Sequence, residues 1–202
     1  MQVLEVTATS WHTDVKSKLL DVLPNLITAL SYPYTSIRHM ASRCIGVFGK
    51  ILTTETMDYV LSKLIDVLGE SDNIIGRQGS IEALVHIIDN LGLGILPYLV
   101  LLIVPILGRM SDQSQDVRLM ATNCFAGLVQ LMPLECGVAD PPTMSRELVE
   151  KKTLQRRFLE QLMNPTKLDT FSIPIPIECT LRGYQQVNGD KCFMRHLKCG
   201  EV

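Results

Sequence analysis

Apolar residues recur at helical spacing through most of this chain. Val15, Leu19, Leu20, Leu23, Leu26, Ile27 and Leu30 fall on one face of a helix. Ser31 to Ser36 is a turn in which Thr35 or Ser36 can cap the next helix. That helix is predicted over Ile37–Leu52, with Ile37, Met40, Ala41, Cys44, Ile45, Phe48 and Leu52 on one side. Thr53 to Thr56 punctuates, and a third helix is predicted over Met57–Leu68. Gly69 to Asn73 is a turn carrying an N-cap, followed by a helix over Ile74–Leu91. Gly92 to Gly94 breaks it. A long apolar helix is expected over Ile95–Met110, kinked near Pro105, then a turn at Ser111 to Ser114 and a helix over Gln115–Leu131 ending before Pro133.

The second helix of each pair repeats. Ile37, Ala41, Ser42 and Ile45 match Ile75, Gly79, Ser80 and Ala83 at an offset of 38, and then Val117, Ala121, Thr122 and Phe125 at a further 42. A period near 40 with two helices per unit is what HEAT-like repeats look like. The small residues Ala41, Gly79 and Ala121 let a neighbouring helix come close. Pro24, Pro97 and Pro105 fall in first helices, which such repeats commonly bend. The predicted fold is all-α: a HEAT-like α-solenoid of about three helix pairs over residues 1–132, with an irregular helical bundle as the alternative. Met1 stands almost at the start of a helical pattern, as if the chain were cut from something longer. Open ends of an array leave self-association as an expectation.

Composition narrows the class. The chain is 47% hydrophobic but only 5% aromatic, so its core is aliphatic, which suits stacked helices better than a β-sandwich. A net charge of −2 gives no global attraction to nucleic acid or to an acidic membrane. Six cysteines are scattered without a signal peptide ahead of them, and read as reduced thiols. Leu91 to Leu107 carries no charge and could be taken for a membrane span, but Gly92, Gly94, Pro97 and Pro105 interrupt it; a buried array helix is the expectation. An array of this kind binds partners. The turns Tyr32–Ser36, Glu70–Asn73 and Ser111–Gln115 are candidate contacts, the last two acidic enough to suit a basic partner.

Leu131 to Pro142 is predicted to leave the array as an extended linker. Thr143 can cap a helix over Met144–Met163, stopped at Asn164-Pro165. Its expected apolar stripe is Leu154, Phe158 and Leu162, with Leu148, Leu159 and Met163 beside it. Lys151, Lys152, Arg156 and Arg157 form a basic cluster, either a solvated face or a contact for DNA phosphates. Linker and bridging helix are assigned to 133–172.

Beyond it, Pro174 and Pro176 alternate with isoleucines and hold the chain extended. Pro133-Leu-Glu135, Asp140-Pro-Pro142, Phe158-Leu-Glu-Gln-Leu162, Ile173-Pro-Ile-Pro-Ile177 and Leu181-Arg-Gly-Tyr-Gln-Gln186 follow in close order. Together they resemble the link between helical array and motor in TATA-binding-protein-associated factors with a SWI/SNF-type ATPase. The resemblance covers residues 12 to 186. It implies a nuclear regulator that grips TATA-binding protein and strips it from promoter DNA by ATP-driven translocation. It also implies that 173–186 is the truncated start of the motor, with Gln185 at the adenine-side position. After Gln186 the chain departs from the family; 187–202 is expected to be an unrelated, disordered tail. No phosphate loop with lysine follows Gln185, so the chain alone is expected to bind no cofactor and to hydrolyse no ATP, whereas the full-length family uses ATP and magnesium. The other reading is a free-standing HEAT-like scaffold for another protein. Cys192, His196 and Cys199 lack a clear fourth zinc ligand apart from Cys179, and no histidine falls in a nucleophile motif.

Overall fold

The computed structural model describes residues 18–164 apart from Leu52 and Cys136. Among these residues the regular structure is helical: α1 Leu23–Ala29, α2 Thr35–Ile51, α3 Thr53–Gly69, α4 Ile74–Leu91, α5 Leu99–Arg109, α6 Gln115–Glu135 and α7 Arg146–Met163. The readings of Pro174, Pro176, Gln185 and the tail lie outside the described residues.

The helices form the expected pairs α1/α2, α3/α4 and α5/α6. Second helices α2, α4 and α6 lie side by side in one layer; first helices α1, α3 and α5 form the other. Helix α7 packs against α5 and so extends the layer of first helices by one. One aliphatic core runs between the layers, from Leu23, Leu26 and Leu30 through Ile45, Phe48, Leu61, Leu64, Leu84 and Ile87 to Leu102, Ile106, Val117 and Leu128. No described unit could bury this face alone. Two helical stretches, Ile74–Arg109 and Gln115–Glu135, are long and apolar enough to cross a membrane by composition. Here Leu99 to Ile103 and Ile106 are instead buried among the other helices, as an array helix requires.

Prolines set the shape of the first helices. Pro24 occupies the opening turn of α1, behind a 3-10 turn at Leu20–Val22, so the single helix expected from Val15 is divided. Pro97 lies in a 3-10 run over Gly92–Tyr98, and α5 starts only at Leu99 rather than at Ile95. The break after α4 falls at Gly92, whose φ of 52° suits a residue without Cβ. Pro105 is accommodated inside α5.

Other boundaries also differ from the sequence expectation: α2 begins at Thr35, expected outside the helix as a cap. Helix α3 starts at Thr53, within the stretch read as punctuation. Helix α6 continues through Pro133 to Glu135, so the linker begins later than residue 131. The cap of α7 is Ser145, not Thr143: its Oγ accepts from Leu148 N, while its own N–H donates to Asp58 Oδ2 of α3 at 2.6 Å. The cap expected before α4 is Asn73, which accepts from Gly76 N at 2.8 Å.

The repeat register is also corrected. Arg38, Arg77 and Arg118 occupy equivalent places at the start of α2, α4 and α6, giving offsets of 39 and 41. In that register Ala41 matches Ser80 and Ala121, and Phe48 matches Ile87 and Leu128; these are buried. Gly79 therefore stands one place earlier than expected. It still serves a close approach, since a Cβ there would lie 2.2 Å from the carbonyl oxygen of Leu30 at the end of α1.

Candidate partner-binding surface

Each turn between first and second helix is clasped by the arginine that follows it. Arg38 Nη1 donates to the carbonyls of Tyr32 and Pro33, both at 2.9 Å. Arg77 Nη1 donates to Glu70 and Ser71, both at 2.6 Å. Arg118 Nη1 donates to Asp112 at 2.8 Å and Gln113 at 3.0 Å. A carbonyl exposed by a turn gains a charged donor, and the turn gains one defined shape. The three candidate contact turns are these three turns. The signal was present in the sequence as three arginines at nearly constant spacing, and periodicity of apolar residues alone passed over it.

The outer parts of the turns remain exposed. Tyr32 and Tyr34 project side by side, ring centroids 6.2 Å apart. Glu70 and Asp72 are exposed, whereas Asp112 is turned inward. Its carboxylate takes Arg77 Nε at 2.8 Å and Nη2 at 3.0 Å, Arg109 Nη1 at 3.2 Å and the N–H of Ser114 at 3.0 Å. Burial would raise the pKa of Asp112, but the hydrogen bonds from Arg77 and Ser114 and the charges of Arg77 and Arg109 outweigh it and hold the carboxyl below its ordinary 3.8. The acidic character expected of this third turn is thus spent inside the protein.

The basic cluster of α7 is divided by the fold. Lys152 is buried: its Nζ donates to Pro97 O at 2.7 Å and to Asp140 Oδ1 at 2.5 Å, with Glu135 Oε1 at 3.8 Å. It cannot serve as a surface phosphate contact. Lys151 pairs with Glu147 at 3.0 Å and faces Asp66 at 4.0 Å. Arg156 is half-exposed and forks onto the buried carboxylate of Glu135. Arg157 is exposed. The expected stripe of Leu154, Phe158 and Leu162 does not carry the packing of α7 either. Leu148, Lys152 and Leu159 face the array, while Leu154 is 59% exposed and Met163 79%. Lysine can take a core-facing place because its stem is apolar and its ammonium finds three oxygens.

Stacked helix pairs, clasped turns and a continuous aliphatic core define an α-solenoid of the HEAT type. The HEAT repeat family matches residues 102–132, which are most of α5 and nearly all of α6. Over 186 residues, 92% of the chain, it is 50% identical to the human TATA-binding protein-associated factor 172. It is 40% identical over 188 residues to TATA-binding protein-associated factor mot1 of Schizosaccharomyces pombe, and 39% over 170 residues to MOT1 of Saccharomyces cerevisiae. Over the segment it spans, the chain is homologous to these TATA-binding-protein-associated factors. That segment is 10% of the length of the human and fission-yeast relatives and 9% of the budding-yeast one.

Proposed function

We propose that this chain is a protein-interaction arm of a nuclear transcription regulator whose partner is TATA-binding protein. In the full-length form a SWI/SNF-type motor would remove that partner from promoter DNA by ATP-driven translocation. The observation that carries this reading is the 50% identity across nearly the whole chain to a relative named for association with TATA-binding protein. The fold supports it: a rigid edge of clasped turns, with exposed tyrosines and acidic side chains, suits a folded partner with a basic surface. Of the basic cluster, Arg157 and the part of Arg156 not engaged with Glu135 are exposed on α7, which supports them over Lys152 as candidates for contact with DNA phosphates.

The chain itself acts without catalysis. Gln185 alone, with no phosphate loop beside it, does not make a nucleotide site. The test is capture of purified TATA-binding protein by the 202-residue chain, with and without promoter DNA. Saturable capture in either arm supports the reading. No capture in both, with a folded chain by circular dichroism, leaves the general HEAT-like scaffold. Micromolar ATP affinity of the same chain would overturn its non-catalytic role.

A further inference from the structure

Away from the turn edge, three side chains converge where α2 and α4 pack. His39 lies on α2; Glu82 and His86 lie one turn apart on the same face of α4. One ligand atom from each lies within 4.8 Å of the other two. His39 Nδ1 meets Glu82 Oε1 directly. The rings of His39 and His86 stand edge to face, centroids 5.8 Å apart and planes at 67°.

The backbone holds these groups together. A Cβ at Gly46 would lie 2.7 Å from His86 Cβ and 2.9 Å from the His86 carbonyl carbon and oxygen, so this glycine lets α4 approach α2 at that residue. Donors mounted on two rigid, closely packed helices have little freedom to disperse. Exposure is graded: the His39 side chain is 49% exposed and that of Glu82 22%, which leaves an approach from solvent.

We propose that His39, Glu82 and His86 bind a divalent transition-metal ion, zinc by preference, which clips the first helix pair to the second. Two imidazoles and one carboxylate are the donor set that zinc accepts with its fourth position left to solvent. Binding replaces the hydrogen shared by His39 and Glu82 with the ion.

The test is titration of the whole chain with zinc by calorimetry, and with cobalt by absorption, under reducing conditions. One site of micromolar or tighter affinity is expected, with cobalt ligand-field bands and no sulfur charge-transfer band. His39→Ala, at an exposed position, should weaken binding about 100-fold or more, and His86→Ala likewise, since loss even of outer partners weakens metal sites 10–100-fold. Gly46→Ala, which displaces His86, should weaken it about 10-fold. Absence of saturable binding overturns the proposal. So does a site that survives both histidine substitutions, or one whose cobalt spectrum carries the thiolate band, which would place the ion on cysteines.

Discussion

Arg77 of α4 and Asp112 of the next turn form a two-point ion pair with both side chains only 1% exposed. The pair joins the second helix pair to the third at their edge, and Arg77 simultaneously clasps its own turn. Removing one partner strands a buried charge. Arg77→Ala or Asp112→Ala should therefore destabilise the fold by about 3–5 kcal/mol, read as a lower denaturation midpoint. Replacing both by apolar residues of similar volume should lose much less, because no charge is left unpaired.

The same carboxylate makes stability depend on acid. The folded-state pKa of Asp112 lies below its ordinary 3.8, so the ionised form is favoured by folding. Its contribution is fully present above 3.8 and is lost as pH falls through the folded value. Denaturant titrations from pH 5 downward should show stability falling below about pH 4. Asp112→Asn should be less stable at pH 7, with a shallower loss on acidification.

Two helical glycines should respond oppositely to the same substitution. At Gly79 a Cβ would meet the backbone of Leu30 at 2.2 Å, and backbone cannot swing away. Gly79→Ala is expected to cost about 1–3 kcal/mol. At Gly127 nothing lies within 4 Å of an added Cβ. Gly127→Ala should stabilise by about 0.5–1 kcal/mol through helix propensity. Parallel thermal melts measure both.

Lys152 anchors α7. Lys152→Ala should release this helix from α5, leaving Asp140 and the carbonyl of Pro97 without the ammonium they share. Faster amide exchange over 137–163 is expected, with the exchange of α2 and α4 unchanged. Arg157→Ala, at an exposed position of the same helix, should leave the exchange pattern as it is.

Cys124 is buried in α6, and burial, with a smaller contribution from Asp89, pushes its thiol up to about 12. Thiolate is the reactive form. At pH 8 the native protein should leave Cys124 unlabelled by a thiol reagent long after unfolded chain has reacted, as peptide mass spectrometry would show.

The pairing of helices was legible because core residues recur at a period near 40: Ile45, Leu84 and Phe125 are equivalent, as are Phe48, Ile87 and Leu128. The details that sequence misplaced depend on tertiary partners. Pro133 is a helix breaker by itself, yet α6 continues to Glu135, whose carboxylate is held by Arg156 and approached by Lys152. On α7 the apolar residues fall on two neighbouring faces, and the one with Leu148 and Leu159, not the one with Leu154, docks. That face also carries Lys152, whose three oxygen partners come from three other places in the chain. The same holds for His39, Glu82 and His86: their meeting requires the α2–α4 approach at Gly46, and no spacing along the chain announces it.

The arginine clasps have a bearing on recognition. Flexible loops must be immobilised before they can hold a ligand, and that ordering weakens the complex. Here Arg38, Arg77 and Arg118 have done the ordering during folding. The edge of this array can then act as a preset comb, with teeth whose separation is dictated by helix width, and a visitor must match that pitch.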